Sequence, residues 1–212
     1  MKKLLFSFAA IASLSLLLVP GSSIAEPTHP NEVGLYMNED GTGATGTYVI
    51  GAPVTVYLVL TKPSDVENGN APYPTINAFE CMLTFSPFPT TGLFYMGATL
   101  PPGSINVGYQ NYSSHGEVEF IVGIPYDVPV TDESVVLATL LFLNMASTPT
   151  YVTLSPVDWP SIPGQMAFQS VQGDLMVMHP ISGSHEAPVF IFNGEAVAVE
   201  TESFGSVKAL FR

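Results

Sequence analysis

Nineteen prolines and eighteen glycines are spread along this 212-residue chain, cutting it into short apolar runs that an ordinary helix could not span. A proline inside a helix removes a hydrogen bond and clashes with the preceding turn, at a cost of roughly 3 kcal/mol. The runs themselves are rich in β-branched and aromatic residues. Residues 54–60 follow Gly51-Ala52-Pro53 and read as a buried strand, and further strands are expected near 33–37, 47–50, 76–85, 93–100, 105–112, 117–124, 135–143, 151–154, 165–168, 175–178 and 189–192. Turn pairs separate nearly all of them: Asp40-Gly41, Asn68-Gly69, Pro102-Gly103, His115-Gly116, Pro163-Gly164, Gly173-Asp174 and Asn193-Gly194. Many short strands at this spacing predict an all-β chain, a sandwich or barrel. The crossover helices of a doubly wound α/β fold are missing, and no internal repeat or long low-complexity linker interrupts the pattern.

The first 25 residues have a different character. Lys2 and Lys3 precede an apolar run over 4–19, followed by Pro20, Gly21 and the small-residue pattern Ser23-Ile24-Ala25. This reads as a secretory signal peptide of bacterial type, cleaved after Ala25. The run is shorter than the ~20 residues of a spanning helix, so a retained anchor is the weaker reading. Cleavage predicts a secreted or extracytoplasmic protein with no membrane insertion afterwards, and a domain over 26–195 followed by a tail over 196–212.

All eighteen acidic residues fall after residue 25, with only Lys62, Lys208 and Arg212 as basic counterparts. Such a surface repels nucleic acid and anionic membranes, and leaves cations, neutral sugars or basic protein patches as partners. The same charge also serves simply to keep an apolar β-protein soluble. Cys81 stands alone, so no intramolecular disulfide forms. In Phe79-Glu80-Cys81-Met82-Leu83-Thr84-Phe85 the alternation puts Phe79, Cys81, Leu83 and Phe85 on one strand face, which buries the thiol as a small hydrophobe.

The run Tyr48-Val49-Ile50-Gly51-Ala52-Pro53-Val54-Thr55-Val56, then Ile76-Asn77-Ala78-Phe79-Glu80-Cys81-Met82-Leu83-Thr84-Phe85-Ser86-Pro87, resembles the opening of a cohesin-type module. The likeness continues through 93–100, Gly116-Glu117-Val118-Glu119-Phe120, Val136-Leu137-Ala138-Thr139-Leu140-Leu141-Phe142 and Gly173-Asp174-Leu175, so it covers roughly residues 45–180. Ser86 stands where that family usually has Asp before the proline. The resemblance implies a jelly-roll-like β-sandwich of about nine or more strands and a role in protein–protein assembly. Family members dock a calcium-loaded helical partner, dockerin, on one sheet face. This chain carries no duplicated calcium loop of that partner.

Candidate chemistry is sparse. No G-x-S-x-G occurs, and His29, His115, His179 and His185 are scattered. Glu117 and Glu119 share a strand face about 7 Å apart, a spacing that suits an acid/base pair but equally describes the solvated side of a sandwich strand. The chain is therefore expected not to be an enzyme. Asn38, Asp40 and Thr42 alternate oxygen ligands around a glycine turn, as a calcium loop begins, but a plain Asp-Gly hairpin accounts for the same residues. Met176, Met178 and His179 could hold soft copper, although methionines facing a core are commoner.

Sugar binding would require exposed aromatic rings. The candidates are Tyr109, Tyr112, Tyr126 and Trp159, the last preceded by Asp158 in Pro156-Val157-Asp158-Trp159-Pro160. This loop could expose the only tryptophan beside a carboxylate or plug the end of the sandwich with it. The tail closes on Phe204-Gly205-Ser206-Val207-Lys208-Ala209-Leu210-Phe211-Arg212, a docking segment or a final edge strand. The expected function is a secreted, non-catalytic, cohesin-like module for protein–protein assembly; the alternative is a carbohydrate-binding module, with a polysaccharide as partner, and a glycan-active enzyme ranks behind both.

Overall fold

The computed structural model describes residues 29–43, 45–46, 48–69 and 71–194. The leader and the tail lie outside these. Among the described residues fourteen strands and one short helix are present. In chain order the strands are β1 (Glu32–Tyr36), β2 (Thr45–Gly46), β3 (Ala52–Thr61), β4 (Ser64–Asp65) and β5 (Ala71–Pro72). Next come β6 (Thr75–Ser86), β7 (Leu93–Thr99), β8 (Ile105–Asn106), helix α1 (Tyr112–His115) and β9 (Glu117–Pro129). The last are β10 (Ser134–Asn144), β11 (Thr150–Ser155), β12 (Met166–Ser170), β13 (Leu175–Pro180) and β14 (Phe190–Phe192).

Apart from β4 and β5, which pair only with each other, the strands make two layers. The first runs β13–β1–β3–β10–β7, and the second runs β2–β14–β11–β6–β12–β13, with β9 and then β8 on the other flank of β6. Strand β13 pairs with β1 in parallel and with β12 antiparallel, so it joins the layers into one curled sheet. The alternation read from the sequence decides what fills the gap. Phe79, Cys81, Leu83 and Phe85 of β6 all point inward and are buried. Phe142 of β10 meets Phe85 at 5.6 Å and Phe192 of β14 at 4.8 Å, closing the core across the layers. Burial pushes the Cys81 thiol far above its usual range. Met178 is fully buried and Met176 packs against the core, while His179 is exposed; the three do not converge.

Two expected strands differ. Residues 48–50 form no strand: Val49 and Ile50 are exposed in a turn closed by the Ala52 amide on the Val49 carbonyl. The run expected over 105–112 pairs only at Ile105–Asn106. There the Asn106 Oδ1 accepts the amides of Gly108 (3.0 Å) and Ile121 (2.9 Å), a side chain standing in for the ladder. The chain then turns into α1, which ends on Gly116 at φ +72°, a left-handed position suited to glycine.

Two asparagine contacts, one to backbone and one between side chains, lock the ends of the sandwich. Asn31 donates to the Ser64 carbonyl (3.0 Å) and accepts the Ser64 amide (2.7 Å). At the opposite end of β10 the amides of Asn144 and Asn193 bond reciprocally, at 3.2 and 3.0 Å.

Candidate binding site

Strands β11 and β12 occupy the same flank of β6, one after the other. Ser155 pairs with Met82 and Ala167 with Glu80, only two positions further along β6. In effect one long strand is interrupted by the excursion 156–165, and Trp159 sits on it. The excursion folds back over the outer side of the second layer, where Glu80 of β6 and Glu119 of β9 project. Met82 is opposite Glu119 in the register and Glu80 opposite Ile121, so the two carboxylates share that face.

Both glutamates are almost wholly buried, at 6% and 2% exposure. Their oxygens are filled by loop donors. Glu119 accepts the Tyr109 amide through Oε2 and the Asp158 amide through Oε1, each at 3.1 Å. Glu80 accepts the Ser161 amide at 2.6 Å and its hydroxyl at 2.8 Å. A carboxylate taking backbone N–H groups is among the stronger pins available to a loop. Glu119 is thus not the solvated residue its alternation suggested, and its hydrogen bonds give it a structural use rather than an acid/base one.

Held this way, Trp159 is the most exposed large apolar side chain described, at 86%. The sequence left open whether it plugs the sandwich; it faces solvent. Asp158 beside it accepts the Tyr109 hydroxyl at 2.9 Å, which raises that phenol's pKa. Tyr109, Asp158 and Trp159 are therefore one constellation. Beside it on the same outer face lies an open trough of about 700 Å³. Its lining includes the small residues Ala78, Gly123 and Ala167 together with Ile105, Val107 and Leu175. At Gly123 an added Cβ would meet nothing within 4 Å, so the glycine leaves the trough open.

The remaining candidates lie elsewhere. Tyr112 turns inward: its ring packs edge-on against Phe85 at 5.0 Å and its hydroxyl serves the Leu93 carbonyl and Thr90. Tyr112 is therefore partly buried against the core, unlike the more exposed Tyr109 and Trp159. Tyr126 is half exposed and ties its hydroxyl to the Pro102 carbonyl. Asn38, Asp40 and Thr42 do come together, but bond to one another: Thr42 donates its hydroxyl to Asp40 Oδ1 (2.6 Å) and accepts the Asn38 amide (2.9 Å). Among the described residues no cluster of three or more His, Cys, Asp or Glu side chains could hold a metal ion. Ser114 and the His115 Nδ1 lie 2.9 Å apart on the surface, as sequence neighbours in α1, with no third group orienting the ring.

The fold and this face define an all-β sandwich with a loop-covered outer face on one layer. Solved structures similar to the chain include cohesin modules. Among these is a type II cohesin domain from the cellulosome of Acetivibrio cellulolyticus, with 10% identity over 80% of this chain and 98% of that one at a TM-score of 0.47. The second type II cohesin module of the ScaA scaffoldin from the same organism gives 14% identity over 82% and 97%, at 0.47. A chain of a type II cohesin–X-dockerin complex, also from that organism, gives 15% over 77% and 100%, at 0.48. No family model and no curated protein matches the chain.

Proposed function

We propose that this protein is a non-catalytic assembly module, exported from the cell, that docks a protein partner on the outer face of the second layer. Trp159 is the anchor of that contact, and the trough beside it receives the partner's apolar side chains. The observation that carries this reading is the rigid presentation of Trp159. An exposed tryptophan on a loose loop would lose conformational freedom on binding, whereas here Glu80 and Glu119 have already fixed the loop. Buried tryptophans dominate interface energetics, with truncation costing about 2 kcal/mol or more.

A second reading rests on the same ring. Trp159 with the Asp158-bound Tyr109 hydroxyl also offers a stacking and hydrogen-bonding pair for a polysaccharide. Capture from the source's surface extract on immobilised residues 26–212, with and without a calcium chelator, separates the two. One recovered protein, lost with Trp159→Ala, supports the assembly role, and loss with chelator assigns a calcium-loaded partner or the 38–42 loop. Polysaccharide without protein moves the function to glycan binding. Retention of every captured species by Trp159→Ala overturns both readings of this face.

A further inference from the structure

The other side of the sandwich carries a surface of a different kind. Strands β3, β7 and β10 contain no charged residue, in a chain with eighteen acidic ones. On their outer side Leu141 of β10 lies between Thr55 of β3 and Gly97 of β7, and Leu143 lies between Pro53 and Phe94. Phe94, Met96 and Leu141 are 52%, 60% and 42% exposed. Three adjacent strands thus offer water a flat apolar face with no carboxylate on it.

We propose that this face is a self-association surface on which a second copy of the chain docks, face against face. Charge selects the occupant. Among the described residues Lys62 is the only Lys or Arg, so two copies brought together on most of their surface would appose carboxylates. Across β3, β7 and β10 they meet without like-charge contact, and apolar side chains are buried on both sides. A basic partner, favoured everywhere else on this protein, would find no countercharge here.

The geometry also selects face-to-face contact over edge-to-edge pairing. β7 ends its layer, but the register slips between Leu141 and Phe142, leaving Met96 as an extra residue before Gly97 at φ +132°. A bulge of this kind bends an edge strand away from a straight partner. Three strands ~4.8 Å apart and roughly ten residues long give a face of about 450 Å², against the ~800 Å² per partner of a standard stable interface. The dimer is therefore weak and reversible. It leaves the Trp159 face free, because that lies on the opposite layer.

Sedimentation equilibrium on residues 26–212 across roughly 1–300 µM tests this, since removing the leader touches none of the described core. The expected result is a monomer–dimer equilibrium that tightens as added salt screens the acidic surfaces. Leu141→Glu and, separately, Phe94→Ser should each weaken it by about tenfold or more, and Trp159→Ala should leave it unchanged. Near-ultraviolet circular dichroism identifies which variants are folded, and Phe94→Ser, made at a half-exposed position, keeps the test decisive if Leu141→Glu unfolds. A monomer at every concentration, a dimer indifferent to the folded surface variants, or a dimer abolished by Trp159→Ala would each overturn the proposal.

Discussion

The carboxylate of Glu119 holds the Asp158 amide at 3.1 Å across a sequence distance of 39 residues, and the residue that follows Asp158 is the exposed Trp159. Glu119→Ala removes the acceptor for this amide and for that of Tyr109, and should cost about 2–4 kcal/mol in urea unfolding. Glu119→Gln keeps one carbonyl acceptor and should cost roughly half as much. Because Trp159 is the sole tryptophan, its fluorescence anisotropy reports the loop directly: it should decay faster in Glu119→Ala. Unchanged anisotropy would mean the loop is held by something else.

Trp159→Ala has the opposite signature. A side chain 86% exposed contributes little to folding, so the midpoint of unfolding should move by less than about 0.5 kcal/mol. A larger loss of stability would show that the ring is part of the fold.

The alkaline limit of stability follows from buried neutral groups. Burial raises the phenol of Tyr95 to about 12, and raises Tyr36, Tyr48 and the Cys81 thiol further. Folded pKa values above the unfolded ones mean that the unfolded chain releases protons first. The stabilisation is complete below the unfolded values and is lost as pH rises toward the folded ones. Stability should hold to about pH 8.5 and then fall, by up to ~1.4 kcal/mol per pH unit for each group titrating in the unfolded chain. Cys81→Ala should delay the onset of that fall. A pH–stability profile flat to pH 11 would contradict this account.

Cys81 also gives a chemical test of burial. Its sulfur has no solvent exposure, so a thiol reagent should leave the native protein unlabelled for hours and react within minutes in denaturant. Rapid labelling of the native protein would place the thiol outside the core.

Asn144 is fully buried, and its amide is shared between the Asn193 side chain and the Tyr48 carbonyl. Asn144→Leu strands the Asn193 partner and should cost about 1–3 kcal/mol by thermal melting. Asn144→Leu combined with Asn193→Gly should cost less than the sum of the two, as directly bonded partners do. Strict additivity would show that the pair does not couple.

Much of the architecture was legible in the sequence because strand faces are written locally. The alternation of Phe79, Cys81, Leu83 and Phe85 against Ala78, Glu80, Met82 and Thr84 reads directly as inside and outside. What alternation cannot express is a second covering of the outside. Glu80 and Glu119 have the pattern of solvated residues, and only the return of Ser161, Asp158 and Tyr109 from distant positions buries them. The run expected as a strand to residue 112 ends instead in a one-turn helix, which sets the Tyr112 ring edge-on against Phe85. At residues 48–50 strand propensity was real but no neighbouring strand pairs with them, and propensity without a partner makes no sheet.

The excursion between β11 and β12 begins and ends on one neighbour, β6, at positions two residues apart. Its two feet stay planted whatever lies between them. Lengthening such a loop costs only about 0.6 kcal/mol per doubling, so its content can be rewritten while the ladder beneath is untouched. The sandwich thereby becomes a chassis and the segment 156–165 an interchangeable cassette. New specificities could arise there by substitution, insertion or grafting, provided the replacement keeps the donors that seat it on the two glutamates.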